Sequence, residues 1–362
     1  MSLPQSNAAS MVSGSSTLVK DDRLQALIQW LATSQQVSKP TQLAPASADA
    51  SFRRYFRTQD ADSGRTYVIM DAPPDKEDTG PFVRVSRQLD DMGITVPRVL
   101  EADEEQGFLL LTDLGQTTFL SGVNEDSADR LYRAALQTLV RLQSQGMSMA
   151  EGLPAYDAAL LDREMTLFSD WLLGEQLQWS LTDSERQGWH QVKQTLSQAA
   201  LAQPTVAVHR DYHSRNLMLD ADDQGGLGVL DFQDAVKGPL TYDAVSLLRD
   251  CYVRWPDEAV NEWRRFYFLS LVEAGLQARR DWDDFVLAFD LMGMQRHLKA
   301  AGIFARLWHR DGKAGYLADI PNTLSYLYEV GQLYAKRPGM RWLLDALESR
   351  VLPECDALRE AG

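Results

Sequence analysis

Cysteine is almost missing from this chain. Only Cys251 and Cys355 occur in 362 residues, with no CxxC pair and no Cys/His clustering. That points to a reduced compartment and away from a disulfide framework or a structural zinc. No apolar run approaches the length of a membrane span, so no membrane partner is expected. Residues 1–20 are rich in Ser and small side chains and lack the apolar stretch of a signal peptide. They read as a disordered leader, and a cytoplasmic location is expected. Positive charge is also short. Lys and Arg total 36 against 51 Asp and Glu, a formal charge of −15 that argues against nucleic acid as the main partner. A glycine-rich nucleotide loop is absent too. What remains is ordinary globular composition, 44% hydrophobic and 24% charged, in a chain long enough for two domains or two lobes.

The chemistry is concentrated in Thr205 to Asp234, TVAVHRDYHSRNLMLDADDQGGLGVLDFQD. His209-Arg210-Asp211 is followed by Asn216, and an apolar run then leads into Asp231-Phe232. This is the kinase catalytic-loop pattern with its later metal-binding aspartate. Phosphoryl transfer needs a carboxylate to orient the attacking hydroxyl and Mg²⁺ to neutralise phosphate charge, and Mg²⁺ prefers hard oxygen ligands. Asp211 is the candidate base, and Asn216 and Asp231 are the candidate metal ligands. Val206–Val208, Leu217–Leu219 and Leu227–Leu230 are short apolar runs that predict strands carrying these turns. Each residue alone is an ordinary turn former, so the inference rests on four positions matching in order.

Upstream, the spacing of Leu24, Leu27, Ile28 and Leu31 predicts a helix over 21–33. Phe52–Arg57 and Arg65–Met70 alternate as a hairpin. In a kinase-like lobe it would cover the nucleotide phosphates, with Ser51, Phe52 and Arg53 or Arg54 in contact, unless it is only a solvated hairpin. Met70 stands where such a lobe carries a lysine, and the helix Phe82–Met92 offers no glutamate, so the usual Lys–Glu pair lacks both members. Arg53 is the preferred substitute and Lys76 the second choice. Phe108–Thr112 reads as a buried strand running into Asp113, either a hinge whose backbone meets adenine or a plain strand-to-helix turn. Beyond Gly115 the pattern is helical. Helices are expected near 257–276, 281–300, 321–336 and 340–351, Gly238-Pro239 marks a turn, and Asp243 ties the helix Ala244–Tyr252 to the catalytic loop. Polar residues in the apolar pattern of 290–321, His297 and Arg306 among them, together with Asp234, are candidate contacts for a hydroxyl-bearing substrate, and Trp308 or Tyr316 for a sugar face.

VHRDYHSRN and VLDFQD, with GPLTYDAVSLLRD behind them, resemble the aminoglycoside phosphotransferase and choline kinase family. The resemblance implies an α+β, protein-kinase-like two-lobed fold that uses ATP and Mg²⁺ on small-molecule hydroxyls. A small mixed α/β lobe would span 21–113 and a larger, mainly helical lobe 114–362. SFRRYFR, VIMDAPPDKED, QRHLKAAGIFARL and RDGKAGYLADIP further resemble the cell-wall-recycling sugar kinases within that family. This implies an N-acetylated sugar, N-acetylmuramate or N-acetylglucosamine, phosphorylated at its C1 hydroxyl to the α-1-phosphate. It would belong to a bypass of the route that fosfomycin blocks. Two alternatives stay open, a kinase for aminoglycosides or other amino-alcohols and a nucleotide-binding pseudokinase. A monomer is expected.

Overall fold

The computed structural model describes residues 21–48, 52–219 and 226–356. Five antiparallel strands build the first lobe: β1 (Ala44–Ala48), β2 (Arg54–Gln59), β3 (Thr66–Asp71), β4 (Val99–Asp103) and β5 (Phe108–Thr112), in the order β1-β2-β3-β5-β4. Helix α1 (Asp22–Leu31) covers one face and α2 (Gly80–Asp91) the other. The period-two alternation of β3 and β5 decides which residue goes where. Tyr67, Ile69, Phe108 and Leu110 bury against Leu27 and Leu31 of α1, whereas Met70, Leu109 and Leu111 join the core under α2. Strand β1 is not signalled in the sequence, because APASA has no apolar alternation; it is held by pairing with β2.

The second lobe begins with α3 (Phe119–Gly122), α4 (Ala128–Gln145), α5 (Met147–Glu151), α6 (Ala158–Leu167) and a π-helical turn Phe168–Gln176. Then comes α7 (Asp183–Leu201), whose Thr182–Glu185 capping box forms as its sequence predicts. The predicted strands are present as β6 (Thr205–Val208), β7 (Leu217–Met218) and β8 (Gly228–Val229), followed by β9 (Val236–Pro239). Gly238-Pro239 is thus the end of a strand paired with β6, not a turn. The remaining helices are α8 (Tyr242–Leu248), α9 (Asp257–Glu273), α10 (Trp282–Asp311), α11 (Ile320–Leu333), α12 (Met340–Ala346) and α13 (Leu352–Asp356).

Two helices differ from expectation. Helix α8 stops at Leu248, and Asp243 lies in its first turn behind the N-cap Thr241. Helix α10 runs 30 residues to Asp311, well past 300, and ends on the left-handed Gly312. Its length is obscured in the sequence because nearly every side of Asp290–Gly302 is buried, which erases amphipathic periodicity. It packs against α6, the π-helical turn, α7, α8 and α11 and is the spine of the lobe. Among the described residues no helix is long and apolar enough to cross a membrane.

A close approach along that spine is at Gly302. A Cβ there would lie 2.3 Å from the Leu167 carbonyl carbon and 2.5 Å from the Phe168 nitrogen. Gly302→Ala should therefore lower stability by about 1–3 kcal/mol in urea melts, although alanine is the better helix former.

Candidate active site

Strand β6 leads into His209, Arg210 and Asp211, and the β7–β8 hairpin carries Asn216 and Asp231 to the cleft between the lobes. The loop between them is held by two buried carboxylates at the ends of α8. Asp243 accepts the backbone N–H groups of His209 at 2.7 Å and Arg210 at 3.0 Å. Asp250 accepts those of Ser214 at 2.8 Å and Tyr252 at 3.1 Å. The tie between Asp243 and the loop is the one the sequence suggests. Burial pushes Asp243 up to about 7, against the two N–H donors that favour its charged form. Arg210 and Asp231 have φ of 77° and 63°, a left-handed backbone that non-glycine residues rarely adopt. Such strain persists where surrounding structure dictates it, and it concentrates at functional sites.

Asp211, Asn216 and Asp231 come together. The Asn216 amide donates Nδ2–H to the Asp211 carbonyl at 3.0 Å and lies 3.4 Å from Asp231 Oδ2. The Leu230 N–H bonds the Asn216 carbonyl at 2.8 Å, which fixes the two chain segments side by side. The other Asp231 oxygen, Oδ1, accepts from Gln233 Nε2 at 2.7 Å. Both Asn216 and Asp231 line the cleft. One amide and one carboxylate at that position suit a divalent cation that takes its remaining ligands from phosphates and water.

Cations gather around Asp211. Burial alone would raise its pKa, but the charge of Lys299 above all, with Arg210 also near, outweighs that and holds the carboxyl below its ordinary value. His209 is itself buried and neutral, lowered to about 4 chiefly by burial, and its Nδ1 accepts the Asp211 N–H at 3.2 Å. Two of the cations share one buried partner, Glu164 of α6, which lies 2.7 Å from Arg210 and 3.0 Å from Lys299. Tyr156 and Gln295 complete the hydrogen bonding of Glu164. The sequence reading missed Glu164. It lies on the same buried face of α6 as Leu161 and Met165, and a charge in an apolar helix face was the signal available.

The cleft is about 610 Å³, the size of a small-molecule site. Tyr55, Arg57, Val68 and Asp113 line it from the first lobe, and His213, Arg215, Asn216, Asp231, Tyr252 and Tyr316 from the second. Asp113 therefore stands at the cleft, but its carboxylate is taken by Arg57, with Nε–Oδ2 at 2.6 Å and Nη2–Oδ1 at 2.9 Å. Arg57 also donates to the Gly115 carbonyl at 2.7 Å, which fixes the connection between the lobes.

Other expected contacts fall elsewhere. Met70 is fully buried under α2, and Val68, two residues earlier on the same strand face, meets the cleft instead. Arg54 turns to the outer side of the sheet, where it and Arg23 pair with buried Asp71. Arg53 pairs at 3.0 Å with Glu77, a loop residue ahead of α2. An Arg–Glu pair thus exists where no Lys–Glu pair does. Phe52 is exposed, with Lys76 6.0 Å above its ring, and Ser51 lies outside the described residues, as does the 1–20 leader. His297 is buried, bonded through Nε2 to the Arg249 carbonyl at 2.9 Å and stacked on Tyr326, so it is a packing residue and not a substrate ligand. Arg306 and Asp234 are not among the cleft-lining residues. Arg306 Nε is buried without a hydrogen-bond partner, and the Asp234 carbonyl faces Arg210 Nη1 at 3.4 Å.

Comparison with known proteins agrees with this geometry. Residues 42–282 match the phosphotransferase enzyme family. The N-acetylmuramate/N-acetylglucosamine kinase of Pseudomonas aeruginosa is 46% identical over 310 residues, covering 86% of this chain and 89% of that protein. The protein of the same name from Pseudomonas putida is 48% identical over 288 residues, covering 80% and 83%. Among solved structures, an ethanolamine kinase of Plasmodium vivax superposes with a TM-score of 0.59 at 9% identity, over 85% of this chain and 83% of that one, which shows the shared fold. The chain belongs to the phosphotransferase enzyme family and is a kinase of protein-kinase-like fold.

Removing Asp243 tests how the loop is held. Asp243→Ala leaves two buried N–H groups without acceptors, so stability should fall by about 2–5 kcal/mol in urea melts. Asp243→Asn keeps one acceptor oxygen and should fall between that variant and the parent chain.

Proposed function

We propose that this phosphotransferase moves the γ-phosphoryl group of ATP to the anomeric C1 hydroxyl of N-acetylmuramate and N-acetylglucosamine, giving the sugar α-1-phosphate. The observation that carries the reading is that Asn216 and Asp231 meet at the cleft, with Asn216 bonded to the backbone of Asp211, in a chain whose relatives bear that kinase name. The same role for Asp211 would serve any hydroxyl, so the acceptor is inferred from the relatives and the base from the loop pattern around Asp211.

Asp211 is held ionised at neutral pH by Lys299 and the other cations around it. It accepts the hydrogen bond of the attacking hydroxyl and takes the proton late, since a loose phosphoryl-transfer transition state asks little of an early base. The anomeric hydroxyl is more acidic than an ordinary alcohol, which suits an aspartate of low pKa. Asn216 and Asp231 would hold Mg²⁺, which neutralises charge on the β- and γ-phosphates. Arg53, oriented by Glu77, is the cation that replaces the absent strand lysine. The backbone from Asp113 to Gly115, pinned by Arg57, takes adenine. An amino-alcohol or aminoglycoside acceptor is disfavoured by Arg215, a cation in the cleft next to Asn216.

A coupled ADP-release assay with ATP and Mg²⁺ tests this. N-acetylmuramate, N-acetylglucosamine, choline and kanamycin are offered in parallel. Turnover is expected on the two sugars, and Asp211→Asn should lower kcat at least ~10²-fold. Turnover on kanamycin or choline alone would overturn the acceptor, and near-normal kcat in Asp211→Asn would remove that residue as base.

A further inference from the structure

The cleft holds a cation whose hydrogen-bonding capacity is unused. Arg215 precedes Asn216 on the catalytic loop, and its side chain, 39% exposed, lines the cleft. Its guanidinium carbon lies 3.7 Å from the ring centroid of Tyr252 and 5.4 Å from that of Tyr316. Two aromatic faces thereby fix the orientation of the planar group while leaving its N–H edge free to bond.

Other arginines near the site are engaged differently. Arg57 is bonded to Asp113 and the Gly115 carbonyl, and Arg210 to Glu164 and the Asp234 carbonyl. Arg215 donates no hydrogen bond among the described residues. Its ion-pair partner Asp319, at the start of α11, stands 3.5 Å away, and that buried Oδ2 accepts no hydrogen bond either. Burial pushes Asp319 up to about 6, so it remains mostly ionised at neutral pH, but at 3.5 Å it makes no hydrogen bond with Arg215. A guanidinium with a free planar fork matches a carboxylate bidentately, and a neutral hydroxyl only singly.

We propose that Arg215, clamped between Tyr252 and Tyr316, is the subsite for a carboxylate on the acceptor and sets the preference between carboxylated and neutral sugars. The inference rests on the sugar-kinase reading above. N-acetylmuramate carries a lactyl carboxylate that N-acetylglucosamine lacks, so the pair of acceptors isolates the contribution of that one group. The subsite lies on the loop that carries the base, four residues after Asp211 in sequence. The sequence pattern pointed to the 290–321 segment for polar contacts of this kind. That segment supplies only Tyr316 and Asp319 of the subsite, and the cation itself comes from the catalytic loop.

The test is kcat/KM of the full chain for both sugars at saturating ATP, in the parent and in Arg215→Met. The ratio of kcat/KM for N-acetylmuramate over N-acetylglucosamine should fall roughly 10- to 100-fold, the effect of losing a charged hydrogen-bonded pair. If circular dichroism shows Arg215→Met to be unfolded, Arg215→Lys is read in its place; it keeps the charge without the fork and should lower the ratio less. An unchanged ratio overturns the subsite. So does an equal loss on both sugars with a raised KM for ATP, which would place Arg215 on the phosphates. A parent chain inert on both sugars overturns the kinase reading itself, a result distinct from either of these.

Discussion

Three backbone N–H groups of the catalytic loop, from His209, Arg210 and Ser214, end on two buried carboxylates, Asp243 and Asp250. The rest of the site depends on that arrangement. A left-handed Arg210 is tolerated because Asp243 fixes the His209 and Arg210 amides that lead into it, and Asp211 then follows with its carbonyl bonded to Asn216. The same helix, α8, is packed by α10, so the loop inherits the rigidity of the longest helix in the lobe. Carboxylates serve here because each has two acceptor oxygens and can hold two N–H groups at once.

A second layer of charge organises the chemistry. Glu164 is a buried anion whose two cations, Arg210 and Lys299, are the positive neighbours of Asp211. Without Glu164 two cations would be buried near the base with too little negative charge, an arrangement that costs several kcal/mol per uncompensated ion. The cleft thus separates its charges by task. One cation pair is committed to Glu164, Arg57 is committed to the connection between the lobes, Arg53 is held by Glu77, and Arg215 is stacked but not hydrogen-bonded.

Much of this was legible in the sequence, for identifiable reasons. The HRD…N spacing and the apolar run into Asp231 fix the catalytic loop because short strands must present their turns at a set register. The Asp243 tie was readable for the same reason. Elements failed where local pattern is silent. APASA has no apolar alternation, and α10 has no polar face to give it a period. Site residues failed where contacts are long-range. His297 was a candidate contact that, taken alone, reads more readily as a satisfied structural histidine, and its partner is indeed a carbonyl from the segment after α8, 48 residues away. Glu77 had no local reason to be chosen, and Glu164 only its place on an apolar helix face, because the arginines they pair with lie 24 and 46 residues away in sequence.

The measurement that bears most directly on the account is the position of the new phosphate. ATP, Mg²⁺ and N-acetylglucosamine labelled with ¹³C at C1 are turned over by the chain and followed by ³¹P NMR. Phosphorylation of the anomeric hydroxyl predicts a new phosphomonoester resonance split by coupling to the labelled carbon, with the α configuration at C1. A phosphomonoester signal without that splitting would place the phosphate on another hydroxyl and contradict the anomeric assignment.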